Sequence, residues 1–288
     1  MKAVIAFLIA GVIGLAAVGE PRNAGRIVQD VIYREVDGVT LALDLYYPQT
    51  GSAPYPVVIY VHGGGWTSGN KRGGAGMLDV PTLLDHGYVV AAIDYRLAPA
   101  YKFPAQFEDV SCAVRYLRTH ADEIGLDPDR IGAYGGSAGG HLVALLGTAD
   151  EDAFRGDCPW EVSARVQAVV DMFGPADFSL FEFLGSEKAE GVFGASDATD
   201  PVFAEASPVA WVSTDDPPFL ILHGDRDPVV PLEQSQSLYD HLKAASVPVE
   251  LVVVKNAGHG FRPTGGRIDP SRLEISEMIA SFFDRFLK

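Results

Sequence analysis

The sequence predicts an α/β fold in which a mostly parallel sheet is covered by helices on both faces. Three observations carry this expectation. Beyond residue 56, apolar strand-like runs alternate with stretches of helical period. The run 56–61 is apolar throughout, as a strand buried on both faces must be. Two alternating runs, 27–36 and 39–47, meet at Asp37-Gly38, a strong hairpin signal that adds an antiparallel edge.

The elements follow in order. The run 56–61 ends in His62-Gly63-Gly64-Gly65-Trp66, and 88–95 is a second buried strand. Residues 105–120 read as a helix, because Phe107, Val110, Val114 and Leu117 recur at spacings of three and four. A strand at 130–134 runs into Gly135-Gly136-Ser137-Ala138-Gly139-Gly140, and a helix follows over 138–149. Strands are expected at 166–173, 219–223 and 249–254, and helices at 232–245 and 271–287. The stretch 175–216 breaks the alternation: Phe178, Leu180, Phe181, Phe183 and Leu184 show no clear period. It reads equally well as a small cap over a site or as a surface excursion. There is no internal repeat and no low-complexity linker, so 27–288 is expected to form one domain.

The chain has 288 residues, and 22 Lys+Arg against 38 Asp+Glu give a net charge of −16. Nucleic acid and anionic membrane both need a basic footprint, so neither is an expected partner. Met1, Lys2, the apolar stretch 3–18 and the small residues Ala17 and Gly19 resemble a secretory signal peptide over 1–19. That predicts a secreted or periplasmic protein with no stable membrane association after cleavage, a retained anchor being the alternative. Composition leaves the pairing of Cys112 and Cys158 even, a disulfide against a core thiol and a loop thiol. Neither has metal-ligand spacing and no HExxH or CxxC occurs, so no metal is expected, and the serine chemistry that the Ser137 motif supports needs no organic cofactor either.

Gly135-Gly136-Ser137-Ala138-Gly139 is a G-x-S-x-G sequence between a predicted strand and a predicted helix. The turn is too tight for bulky neighbours. It pushes Ser137 into strained backbone with its hydroxyl exposed, at the end of a helix whose dipole and free amides face it. Ser137 is therefore the candidate nucleophile. The glycines after His62 let backbone amides approach a substrate oxygen, so Gly64, Gly65 and Ala138 are the candidate oxyanion donors. His62 is expected to brace the loop. Trp66 is a candidate substrate-binding residue, with plain packing as the equal alternative.

A serine hydroxyl needs a base. In this order of elements the base follows both the serine and an acid, leaving His141, His223, His241 and His259. His141 should point into the packing from the nucleophile's helix, His223 precedes the acid, and His241 lies on a helix facing solvent. His259, in the loop Ala257-Gly258-His259-Gly260-Phe261 after the last strand, is the candidate base. The acid belongs to His223-Gly224-Asp225-Arg226-Asp227-Pro228, where spacing does not separate Asp225 from Asp227.

The runs Tyr95-Arg96-Leu97-Ala98-Pro99 and Phe103-Pro104-Ala105-Gln106-Phe107-Glu108-Asp109 resemble the hormone-sensitive-lipase-like esterases. The His62–Trp66 loop, the Ser137 elbow, the segment 223–231 and the His259 loop are more similar still to the bacterial feruloyl and acetylxylan esterase (BD-FAE-like) branch of the α/β hydrolases. The resemblance runs from about Ile27 to the C-terminus. It implies the α/β-hydrolase fold and identifies Asp227, before the short Pro-Val-Val-Pro stretch, as the acid, with Asp225 structuring the loop. It implies a serine carboxylic-ester hydrolase, with a small-molecule or polysaccharide-linked ester as substrate; short acyl groups are expected from an open cleft with only a short insertion at 175–216. The lipase-like members carry a helical N-terminal cap, whereas here the hairpin follows the leader at once, which suggests a more open cleft. A kynurenine-formamidase-like amide hydrolase and a non-catalytic binding module on the same scaffold are the alternatives.

Overall fold

The computed structural model describes residues 23–180 and 185–288. The leader expected over 1–19 and residues 181–184 of the irregular stretch lie outside the described residues. Eight strands form one sheet: β1 (Ala24–Val36), β2 (Val39–Pro48), β3 (Tyr55–Val61), β4 (Val89–Ile93), β5 (Leu126–Gly136), β6 (Ala168–Met172), β7 (Phe219–Gly224) and β8 (Val249–Val254). Their order is β1-β2-β4-β3-β5-β6-β7-β8. The β1/β2 and β2/β4 pairs are antiparallel and the rest are parallel, so the hairpin is the antiparallel margin of a parallel sheet.

Alternation along the buried strands sorts side chains onto the two faces. Val57, Ile59 and Val61 of β3 enter one core with Val110, Val114 and Leu117 of α2 (Ala105–Thr119), Leu142 of α4 (Ala138–Thr148) and Leu238 of α7 (Leu232–Ala244). Val58 and Tyr60 enter the other, with Leu83 of α1 (Val80–Asp85) and Ile275, Ile279 and Phe283 of α8 (Arg272–Leu287). The stripe read from α2 thus packs where expected, and a capping box between Ser271 and Glu274 starts α8. The sequence reading passes over α1 and α3 (Ala121–Ile124), because six and four residues are too few for a period to develop. It also starts β5 late, since Asp127-Pro128-Asp129 reads as a turn.

The even question of the cysteines is settled by a disulfide between Cys112 on α2 and Cys158, with Cα atoms 5.6 Å apart. Close by, buried Asp109 accepts hydrogen bonds from Arg34 of β1 (2.6 Å) and from Arg96 Nε (2.9 Å). Arg96 also pairs with Asp37 at the hairpin turn (2.6 Å) and Glu108 (2.8 Å). The Tyr95–Pro99 and Phe103–Asp109 motifs are therefore one ion network that fastens the hairpin to α2. Such a network specifies geometry, and losing one partner strands a buried charge.

The described part of 175–216 contains α5 (Ser186–Phe193) and α6 (Pro201–Glu205) with short 3₁₀ turns at Phe178–Leu180 and Pro208–Ala210. It packs inward: Phe178, Phe193 and Phe203 are buried, and Phe178 and Phe193 lie 6.2 and 5.6 Å from the Trp66 ring. Among the described residues, no helix is long and apolar enough to cross a membrane.

Candidate active site

β5 delivers Ser137 to the carboxyl edge of the sheet, where α4 begins. Ser137 has φ 58° and ψ −123°, the strained turn expected for an elbow. The strain is held by packing and by a hydrogen bond from Ser137 N to Met172 O at 2.9 Å. A Cβ on Gly139 would collide with the Val61 carbonyl oxygen, so only glycine lets α4 start this close to β3.

β7 and β8 supply the other two side chains. His259 Nε2 lies 3.0 Å from Ser137 Oγ, and its Nδ1 lies 2.8 Å from Asp227 Oδ2. The Asp227 side chain is fully buried and that of His259 is 25% exposed, so the acid is dry while the imidazole faces the cleft. The second Asp227 oxygen accepts from Val229 N (2.8 Å) and Val230 N (3.0 Å). Burial by itself pushes the Asp227 carboxyl up. The His259 hydrogen bond and the two backbone amides outweigh it and hold the group below the usual carboxylate range. Asp225, the rival by spacing, instead accepts from Ala257 N at 3.3 Å and shapes the loop that carries His259. Phe173 meets the His259 ring edge-on at 4.9 Å and limits its rotation.

The glycine loop after β3 faces the same point. Gly64 has φ 119° and Gly65 φ 60°, and a Cβ on Gly64 would strike the Ser68 carbonyl. The N–H groups of Gly64, Gly65 and Ala138 have no acceptor among the described residues. These three amides are free donors on the two segments that flank the serine, the glycine loop approaching it through Gly63.

The remaining histidines have structural duties. His62 stacks on Tyr95 at 4.2 Å, is hydrogen-bonded to its neighbour's carbonyl oxygen at Gly63 (2.7 Å), and its own carbonyl accepts from Tyr95 (2.9 Å). His141 is fully buried, accepts from Trp66 Nε1 at 3.1 Å and donates from Nε2 to Ala206 O at 2.7 Å. Its burial pulls the imidazole down to about 4, so it stays neutral. His223 is buried against Ser235 and Val230, and His241 is exposed on α7. Of the two roles open for Trp66, the structure supports packing: the residue is 3% exposed, with its indole N–H spent on His141. The sequence reading misses Lys188 on α5, whose ammonium lies 5.7 Å from the Trp66 ring centre. No sequence signal marks it, because it falls in the one stretch without a period.

The profile of the BD-FAE family matches residues 43–242. Two relatives from Mycobacterium tuberculosis (strain ATCC 25618 / H37Rv) are the esterase LipC and the probable carboxylic ester hydrolase LipM. LipC is 37% identical over 72% of this chain and 53% of its own length. LipM is 34% identical over 81% of this chain and 56% of its own. The chain thus spans about half the length of the curated relatives it matches. Among solved structures, a truncated carbohydrate esterase from gut microbiota superimposes with TM-score 0.80 at 26% identity, covering 91% of this chain and 96% of that one. A thermophilic esterase of Thermogutta terrifontis, solved with propionate bound, gives 0.75 at 27%, covering 92% and 95%. With the sheet order, the elbow and the glycine loop all in place, the chain belongs to the BD-FAE family and has the α/β-hydrolase fold.

Proposed function

We propose that this protein hydrolyses carboxylic esters through an acyl-enzyme on Ser137. The observation that carries the reading is the unbroken relay Ser137–His259–Asp227, with steps of 3.0 and 2.8 Å. Ser137 Oγ attacks the ester carbonyl while His259 Nε2 takes its proton. Asp227 fixes the imidazole tautomer and stabilises the imidazolium. The oxyanion accepts from the Gly64, Gly65 and Ala138 amides. His259 then protonates the leaving alcohol, and water, deprotonated by the same imidazole, releases the acid. Each oxyanion donor contributes on the order of 10²–10³ in turnover.

Short acyl groups, acetyl to butyryl, are the proposed range. Support comes from the Thermogutta esterase, which was solved with propionate and with butyrate bound. Further support comes from the aromatic cluster of Trp66, Phe178 and Phe193 filling the space under α5. The carbohydrate-esterase neighbour supports an acetylated or feruloylated polysaccharide as one form of the alcohol or acyl part. Export is proposed from the leader and from the disulfide, a bond that persists in oxidising compartments.

The test is a fluorophosphonate label on the intact chain. Wild type takes one label and Ser137→Ala takes none while losing hydrolysis of 4-nitrophenyl acetate. Labelling that persists at another serine, or hydrolysis that survives the substitution, overturns the reading. The Thermogutta structures phosphorylated by paraoxon and phosphonylated by cyclosarin make this reagent class a suitable probe.

A further inference from the structure

Lys188 stands on α5, where the insertion meets the glycine loop. Its Nζ lies 3.0 Å from the place a Gly65 Cβ would occupy and 5.7 Å from the Trp66 ring centre. Gly65 carries one of the free amides. Two residues earlier, a Cβ on Gly63 would lie 3.4 Å from Ser137 Cβ. Two residues of chain span at most about 7 Å, so the ammonium stands against the same glycine loop as the nucleophile's neighbour and within at most about 17 Å of Ser137.

This cation has no hydrogen bond or ion pair among the described residues. Its neighbour Lys102, by contrast, pairs with Glu190 of the same helix at 3.1 Å. The Trp66 face offers Lys188 a cation–π contact but no acceptor, which leaves its three ammonium donors without an acceptor among the described residues. Burial by neighbouring groups holds the ammonium below the ordinary lysine value, and no carboxylate among the described residues opposes that effect. The residue is nevertheless exposed, so a ligand can reach it. All this stands in a chain of net charge −16, whose field repels anions elsewhere on the surface.

We propose that Lys188 is a specificity residue that receives a carboxylate carried by the substrate, so that the site prefers anionic esters to their neutral counterparts. The carboxylate stands a few bonds from the scissile carbonyl, on an alcohol part derived from a hydroxy acid or on an acyl part derived from a dicarboxylic acid. It accepts charge-assisted hydrogen bonds from Nζ, which supply the acceptor that the protein withholds. The proposal rests on the ester-hydrolase reading and narrows its substrate class.

The experiment compares two matched pairs. In the first, 3-acetoxybenzoate is set against 3-acetoxybenzamide, with the charge on the alcohol. In the second, monomethyl glutarate is set against methyl glutaramate, with the charge on the acyl group. Wild type should favour the anion in at least one pair by about ten-fold in kcat/KM, equivalent to ~1.4 kcal/mol, and the pair that responds identifies the side. Lys188→Met should bring that ratio to about one, Lys188→Arg should retain most of it, and added salt should erode it. Because a ratio does not depend on the amount of folded enzyme, poor folding of a variant does not mimic the result. A wild-type ratio of one or less in both pairs, or a ratio indifferent to Lys188→Met, overturns the proposal while leaving the ester reading intact. Absence of Ser137-dependent turnover on all four esters overturns both.

Discussion

At the residue scale, the division of labour between Asp225 and Asp227 follows from where each carboxylate is dried and what it faces. Asp227 is fully buried against His259, whereas Asp225 faces the Ala257 amide. Asp227→Asn should therefore lower kcat by about 10⁴-fold, because the amide favours the wrong imidazole tautomer. Asp225→Asn should cost less than ten-fold, the ~1 kcal/mol of one hydrogen bond. Steady-state kinetics on one acetate ester compares them, and equal losses would remove the distinction. Asp171 on β6 makes a different point. It is fully buried beneath the elbow, with one oxygen accepting from Gly174 N at 2.9 Å and the other unpartnered among the described residues. Burial pushes its carboxyl from 3.8 up to about 7. Between those two values the folded protein holds a proton on Asp171 that the unfolded chain has released, so the Asp171 contribution to stability declines as pH rises through the window, against the opposite contribution of carboxylates such as Asp227 that are held low. Asp171→Asn, uncharged throughout, should flatten that decline, an effect of up to about 4 kcal/mol. Thermal unfolding from about pH 4 to about pH 8 reads it out, and identical slopes for the two proteins would refute it.

At the scale of elements, the segment after α4 is fastened by the Cys112–Cys158 bond and by packing of Phe154 on Phe103, Phe107 and Trp211. The bridge closes a loop with a sequence separation of 46, for which the chain-entropy account gives about 4 kcal/mol. The double substitution Cys112→Ser with Cys158→Ser should therefore lower unfolding stability by ~2–4 kcal/mol in denaturant titration. No loss would mean the unfolded chain is already restrained. The intact mass of protein from an exporting host reports, in the same preparation, whether the thiols are oxidised and whether the leader has gone. The element least legible in the sequence is the insertion 175–216, whose apolar residues show no period. Of the described ones, Phe178 and Phe193 meet Trp66 and Phe178 also meets His141, both partners distant in the chain, so only the packed structure turns this part of an aperiodic stretch into a buried aromatic cluster.

At the scale of the whole molecule, the sheet brings its functional loops to one edge. Parallel strands all end on the same side, so the turns after β3, β5, β7 and β8 meet there. With Trp66 and three phenylalanines filling the interior under α5, long acyl chains find little apolar wall to displace water from. Each fully buried methylene is worth about 0.8 kcal/mol, so an open or filled site forgoes that gain. For 4-nitrophenyl esters, kcat/KM should peak between acetate and butyrate and fall by at least about ten-fold at decanoate. A steady rise with chain length would instead reveal a deep apolar channel.

Short-range rules suffice to read the eight strands, the hairpin, the stripe on α2 and the candidates Ser137 and His259 from the sequence. Those rules are periodicity, turn chemistry and the tight glycine pattern around a nucleophile. The choice between Asp225 and Asp227 was open to spacing and closed only by a resemblance, because both lie within one loop and differ only in which way they face. The folded chain sets Asp227, and not Asp225, against His259 by a 2.8 Å contact across 32 residues. It also joined the cysteines, placed Trp66 in the core and set Lys188 above the glycine loop. These four outcomes share one physical reason. Each depends on which groups from distant segments exclude water from one another, and no local period or propensity encodes that.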